Sequence, residues 1–272
     1  MASKQYTVHT IDENTFAIEE KTKFNQGLCY LLRGREKALL IDTGFGYQGF
    51  KEIIEGLTNL PVLVANTHAH LDHIGGNHYF EELWYHEADR HIFTLHTDRS
   101  YTLGMLTEGM PRIVRAIMGK AAGKMLDIDP AGHYQYFGDE HIFRLGGRDV
   151  EVVPTPGHTP GSVCFLDSEN KMLFSGDTVC EWGVLLHFRG EGCPPAVFLE
   201  SLRRLKQLER HFDTVWPGHH SFPVEKSYID DYLTCAEQIV SKAAKYTVTK
   251  GRPCAQYGRV LITVPDEVAK YD

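Results

Sequence analysis

The chain has 272 residues, of which 42% are hydrophobic and 24% charged, and it carries a formal net charge of −8 at pH 7. That size and composition suit one large globular domain with a sizeable core and exclude the disordered and collagen-like extremes. With 36 acidic residues against 28 basic ones and no long Lys/Arg run, the surface would repel a phosphate backbone, so no nucleic-acid partner is expected.

The first ten residues, MASKQYTVHT, hold no apolar stretch of the secretory type, and no later segment approaches the length of a membrane span. The expectation is a cytoplasmic protein without a membrane partner. Strand-like runs follow at Cys29–Leu32, Ala38–Ile41, Val62–Ala65, Asp149–Val153, Val163–Leu166, Met172–Phe174 and Thr214–Trp216. Several are unbroken by polar residues, as buried strands are. Helical spacing marks Gly49–Leu57, Ala196–His211 and Glu225–Ala244, so strands and helices alternate through both halves, the pattern of an α/β fold. Between about Glu87 and Phe137 the rhythm breaks: Met, Leu, Ile and Tyr recur at mixed spacing with Gly104, Gly109, Gly119 and Gly123. This segment reads as a helical insertion within a single domain spanning residues 1–272, either an ordinary packing pair or a cap over a substrate. The six cysteines, Cys29, Cys164, Cys180, Cys193, Cys235 and Cys254, form no CxxC pair and are expected as small buried hydrophobes without disulfides.

The chemistry concentrates in Thr67-His68-Ala69-His70-Leu71-Asp72-His73, which follows the Val62–Asn66 run and precedes Ile74-Gly75-Gly76-Asn77, where a helix is expected to begin. At an extended strand end, residues two apart point the same way, so His68 and His70 can converge on one ion while a turn redirects Asp72 and His73 to a second. A lone HxH is best read as a polar surface loop. Here three more pieces recur at the ends of expected strands: Thr155-Pro156-Gly157-His158-Thr159-Pro160-Gly161-Ser162, then Ser175-Gly176-Asp177-Thr178, then Trp216-Pro217-Gly218-His219. Each adds one donor in a turn stiffened by Gly or Pro. Asp42, in Leu40-Ile41-Asp42-Thr43-Gly44, reads from the residues alone as a turn former before Gly. The other histidines read as surface or packing residues, with His187 set apart because the run Gly183–Gly190 (GVLLHFRG) also carries Arg189. His187 and Arg189 are candidate substrate contacts, against the alternative of a strand end or hairpin.

Taken together, HxHxDH, PGHTxGS, GDT and PGH resemble the metallo-β-lactamase superfamily over residues from about Cys29 to His220. The resemblance implies a four-layer αβ/βα sandwich and two divalent metal ions, zinc by family habit, with iron or manganese also compatible with such donors. It implies that His68, His70 and His158 hold the first ion, that Asp72, His73 and His219 hold the second, and that Asp177 bridges them. Asp177 and Asp72 are then the catalytic carboxylates. Asp42 matches a recurrent acidic position of the family and is implied, with weight equal to its reading as a turn former, to accept the second N–H of a ligand histidine; His220 is the neighbouring alternative to His219.

Two ions about 3.5–4 Å apart can share a water, bring its pKa from ~15.7 toward ~7 and hydrolyse a bond without a Ser-His-Asp triad. Members resembling glyoxalase II, lactonases and several phosphodiesterases share the motifs, whereas β-lactamases of this fold typically lack the bridging Asp. The reading is a hydrolase of a small acyl ester, lactone or thioester. A phosphodiesterase, a non-catalytic metal protein and a mononuclear-iron redox protein are the alternatives, and the oligomeric state is left open.

Overall fold

The computed structural model describes every residue except 1–4, 22–25, 109, 112–133, 250 and 270–272. The chain divides into two compact units, one of residues 1–137 with 145–147 and one of residues 138–144 with 148–272.

The first unit is built on a seven-stranded sheet whose strands lie in chain order. β1 (Tyr6–Asp12), β2 (Thr15–Lys21), β3 (Gln26–Arg33) and β4 (Ala38–Ile41) are antiparallel, and β5 (Val62–Ala65), β6 (Glu82–His86) and β7 (Tyr134–Phe137) continue the sheet in parallel. The fully apolar β4 and β5 match their sequence expectations residue for residue, because a run buried on both faces carries its own signal. Helix α1 (Phe50–Leu57) makes the crossover between them and turns Phe50 and Ile54, four residues apart, into a core with Tyr6, Phe16, Ile18, Leu31, Leu40 and Val64. Since β4 and β5 are parallel with Ile41 opposite Ala65, the residues that leave their carboxyl ends, Asp42 and Asn66, emerge side by side. Such strand ends are where open α/β sheets place their ligands.

The helix expected from Ile74 onward begins earlier. α2 spans Leu71–Ile74 with His70 at its N-cap, so Asp72 and His73 ride on a helical turn. In the segment expected as an insertion, α3 (Arg90–Thr97) and α4 (Arg99–Leu106) are helical, but Tyr134–Phe137 is β7 and belongs to the sheet. The rest of that expectation, Gly109 and residues 112–133, lies outside the described residues. Leu71, Ile74, Tyr85, Ile92 and Phe93 form a separate small core beneath the segment.

The second unit holds a six-stranded sheet in the order β14-β13-β11-β10-β9-β8 and a four-stranded sheet in the order β12-β17-β16-β15. The first comprises β8 (Ile142–Arg144), β9 (Asp149–Pro154), β10 (Val163–Asp167), β11 (Met172–Gly176), β13 (Thr214–Pro217) and β14 (Val224–Glu225). The second comprises β12 (Val184–Leu185) and a C-terminal meander of β15 (Tyr246–Thr249), β16 (Arg252–Tyr257) and β17 (Val260–Thr263), whose first two strands are too mixed in polarity to read as strands in the sequence. β10 is antiparallel to both β9 and β11, and β11 is parallel to β13. The carboxyl ends of β9, β11 and β13 therefore share one edge, the edge from which His158, Asp177 and His219 depart.

Helix α5 (Pro195–Leu208) continues as a 3-10 turn through His211, within one residue of its expected span. α6 covers Tyr228–Val240, shorter than expected because Val224–Glu225 pairs with β13 instead. Phe198, Leu202, Leu205, Tyr232, Cys235 and Ile239 from these helices fill the core. All six cysteines are free thiols, five of them buried. Among the described residues no helix is long and apolar enough to cross a membrane.

Glu20 on β2 is an unusual core residue at 1% exposure. Its carboxylate accepts hydrogen bonds from the Tyr6 hydroxyl at 3.0 Å and from Phe45 N at 3.2 Å, tying the sheet to the loop after Asp42. Burial, reinforced by the negative charge of Asp72, lifts its pKa to about 7 against the donors that lower it. Below about pH 4.5 the folded and unfolded chains both hold the proton. As pH rises toward 7 the unfolded chain releases it first, so the folded state loses stability across that window. Gln at this position can keep both contacts, because the Tyr6 hydroxyl also reaches Tyr47 O at 3.2 Å and can accept from the amide. In metal-free protein the stability advantage of Glu20→Gln over wild type is expected to grow by about 3 kcal/mol between pH 4.5 and pH 8. Urea unfolding at the two pH values measures it, and an advantage that shrinks with pH contradicts the assignment.

Candidate metal centre

In the first unit the donors cluster at the carboxyl end of β5. His68, His70 and His73 are buried and Asp72 is half-buried. His68 Nε2 and His70 Nδ1 face each other at 3.1 Å. Two donors held about 2.0–2.1 Å from one tetrahedral ion lie about 3.3 Å apart, so this pair has the spacing of ligands to a common cation. The His68 and His73 rings lie 4.0 Å apart between centroids, and Asp72 offers a carboxylate oxygen within 4.8 Å of a His73 nitrogen.

What aims these rings is the carboxylate of Asp42. Its Oδ1 accepts from Thr67 N at 2.8 Å, and its Oδ2 accepts from the Thr67 hydroxyl at 2.7 Å and from His73 Nδ1 at 2.8 Å. With its own proton given to Asp42, Thr67 Oγ1 accepts from His68 Nδ1 at 3.1 Å. Both histidines are thereby left with Nε2 as the donor atom, the pattern by which an outer hydrogen bond selects a ligand tautomer. Asp42 is also a turn residue, with φ of 60°.

Asn66, Thr43 and Asn77 complete the support. Asn66 Nδ2 and Thr43 Oγ1 both donate to His73 O, at 2.9 and 3.1 Å, and Asn77 Nδ2 donates to Asn66 Oδ1 at 2.8 Å. The loop after Asp42 packs backbone to backbone on the loop after α2: a Cβ on Gly46 would stand 2.4 Å from Gly76 Cα. Sequence reasoning missed Thr67, Asn66, Thr43 and Asn77. Their adjacency to the motif was visible, but their contacts span up to 34 positions.

The second unit presents its donors at the shared edge of β9, β11 and β13. His158 sits in a turn closed by Thr155 N to Ser162 O at 2.9 Å and Gly157 N to Thr159 O at 3.0 Å. Gly157 is required there, since a Cβ would meet the Phe198 ring at 2.4 Å. His158 Nδ1 donates to Leu185 O at 2.7 Å, leaving Nε2 as its donor. Asp177 follows Gly176, whose carbonyl accepts from Gly218 N at 2.8 Å and so ties the Asp177 turn to the His219 turn. The two oxygens of Asp177 face different histidines: Oδ2 lies 3.5 Å from His158 Nε2 and Oδ1 lies 3.4 Å from His219 Nε2. Both distances exceed an ordinary N–H···O bond and match the separation of two donors on one ion. A carboxylate flanked in this way fits a bridge between two cations.

His220 is exposed beside His219, and His219 faces the Oδ1 of Asp177. Of the candidate substrate contacts, His187 is half-buried and Arg189 exposed, just beyond the strand end β12.

A family model of the metallo-beta-lactamase superfamily matches residues 22–219. The acyl-coenzyme A thioesterase MBLAC2 of Gallus gallus is 26% identical over 257 residues, 89% of this chain and 90% of that protein. The hydroxyacylglutathione hydrolase GloC of Haemophilus influenzae is 29% identical over 171 residues, 60% of this chain and 71% of that protein. Among solved structures, a metallo-beta-lactamase from Pontibacter korlensis aligns with a TM-score of 0.60 at 21% identity, over 86% of this chain and 99% of that one. This last likeness is one of fold, and it agrees with the α/β class expected from the sequence.

Thr67 connects Asp42 to His68, so Thr67→Val removes one hydrogen bond to Asp42 and the acceptor that orients the His68 ring. A loss of metal affinity of about 10-fold, at the lower end of what outer-shell changes produce, is expected in a competition titration against a chromophoric chelator. Unchanged affinity would show that the His68 tautomer is set by other means.

Proposed function

The chain belongs to the metallo-β-lactamase superfamily, and from that premise we propose that it is a dinuclear metal-dependent hydrolase that cleaves a small acyl thioester, with esters and lactones as related substrates. The observation that carries the dinuclear part is the Asp177 carboxylate, with one oxygen toward His158 and the other toward His219. In this reading His68, His70 and His158 hold one ion, Asp72, His73 and His219 the other, and Asp177 touches both. Zinc is the proposed metal, because imidazole and carboxylate donors at these spacings suit it.

Bound there, two divalent cations would supply Lewis acidity toward the carbonyl and the leaving sulfur and would lower the pKa of a shared water. The chain's own residues do the rest. Asp42, Thr67 and Leu185 O keep the donor nitrogens of His73, His68 and His158 aimed, so no reorganisation is needed when charge develops. Asp177 and Asp72 would supply the anionic oxygens, and the reading gives Asp177 the further role of taking the proton of the attacking water and returning it to the leaving group. His187 and Arg189 are proposed as substrate contacts. The thioester preference is supported by the named activities of two relatives, an acyl-coenzyme A thioesterase and a hydroxyacylglutathione hydrolase. The net charge of −8 works against a nucleic-acid substrate.

Metal-replete protein is expected to contain about two first-row ions per chain and to hydrolyse acyl thioesters fastest in a panel that also holds lactones, aryl esters, bis-aryl phosphodiesters and a β-lactam. A chelator should abolish all turnover. A phosphodiester cleaved orders of magnitude faster than any acyl substrate overturns the substrate class, and one ion per chain overturns the dinuclear reading.

At matched metal content, Asp177→Ala is expected to lower kcat more than Asp42→Ala, for which a loss of about 10–100-fold is typical of an outer-shell partner. The reverse order would take the bridge away from Asp177.

A further inference from the structure

The segment 87–97 reaches the ligand loop at two points that nothing in the motif announces. Asp89, at the N-cap of α3 and fully buried, accepts a hydrogen bond through Oδ2 from Ala69 N at 2.9 Å. His96, near the end of the same helix and 1% exposed, accepts through Nδ1 from Leu71 N at 3.0 Å. Asp42 does the same for Thr67 N. The amides of residues 67, 69 and 71 are thus each taken by a side chain from elsewhere in the unit, while the intervening residues 68, 70 and 72, followed by His73, carry the donors.

This alternation has a physical consequence. An amide held by a fixed acceptor locks its peptide plane, and the planes on either side of a residue set the direction of its Cα–Cβ bond. The plane that carries Ala69 N joins His68 to Ala69 and the plane that carries Leu71 N joins His70 to Leu71, so one plane beside each of the two histidines is anchored on α3 and its N-cap. Leu71 N is also the first amide of α2 and has no partner within that helix, which makes an outside acceptor a structural need. To accept there, the His96 ring must keep the Nδ1 lone pair, so when neutral it holds its proton on Nε2. Its ring lies 4.8 Å from that of His70 between centroids.

We propose that Asp89 and His96 are positioning residues for the first metal ion, Asp89 acting through the peptide plane that follows His68 and His96 through the plane that follows His70, together keeping His70 Nδ1 at donor distance from His68 Nε2. The proposal rests on the metal-centre reading through His68 and His70. It assigns part of the expected insertion to the support of a ligand.

Conservative and disruptive variants separate this role from simple packing. His96→Asn places Oδ1 where Nδ1 was and retains an acceptor for Leu71 N; His96→Leu retains bulk and removes the acceptor. Asp89→Asn and Asp89→Ala form the matching pair. Zinc and cobalt affinities are read by chelator competition, alongside thermal melts and hydrogen exchange of the Ala69 and Leu71 amides in metal-free protein. His96→Leu and Asp89→Ala should each weaken one of the bound ions by about 10–100-fold and speed exchange at Leu71 and Ala69 respectively, with the Asn variants within about threefold of wild type. Unchanged affinity in a folded His96→Leu protein overturns the proposal, and so do Asn variants that bind as weakly as the disruptive ones. If wild type itself binds neither metal, the metal-centre reading has failed, an outcome distinct from wild type and His96→Leu binding equally well.

Discussion

The carboxylate of Asp42 accepts three hydrogens, from Thr67 N, from the Thr67 hydroxyl and from His73 Nδ1. It does so from a buried position in a left-handed turn. A buried carboxylate is unfavourable unless its lone pairs are met, and here the groups that meet them belong to the ligand loop. Stabilising the anion and orienting the rings are therefore one interaction. The parallel register of β4 and β5 brings the two strand ends together, and the contact between Gly46 and Gly76 admits the close approach of the loops that follow them.

The second unit reaches the same end with different parts. There the support is backbone: Leu185 O orients His158, and the bond between Gly218 N and Gly176 O fixes the His219 turn against the Asp177 turn. His68, His73 and His158 all have Nδ1 engaged and present Nε2, whereas His70 turns Nδ1 toward His68. A donor set that mixes the two ring nitrogens lets neighbouring residues on one strand end serve the same ion from different directions.

Buried charges elsewhere behave differently. In the second unit Arg148 donates to Asp167 Oδ2 from Nε at 2.8 Å and lies 2.6 Å away through Nη2, while Asn170 caps the remaining oxygen. That pair is self-contained, with a cation for its anion. Asp42 and Asp89 instead take amide, hydroxyl and imidazole hydrogens, leaving the anionic charge available to favour a cation.

Much of this was legible in the sequence because it is local. Buried parallel strands such as Ala38–Ile41 and Val62–Ala65 are continuous apolar runs, and the four motifs place their donors in Gly- and Pro-stiffened turns within a few residues of a strand end. Strands β1 and β2, the C-terminal meander and β7 were not legible, since most of their residues are mixed and pairing comes from neighbours that sequence spacing does not name. Nor did the sequence say that Asp72 and His73 ride on a helix, that Thr67 is the link between Asp42 and His68, or that His96 differs from the other histidines outside the motifs. Residue order alone determined which side chains offer donors and at which strand ends they stand. Which nitrogen each ring presents, and what holds the amides between them, was decided only by tertiary structure, because a hydrogen bond depends on angles and distances between groups tens of residues apart in the chain.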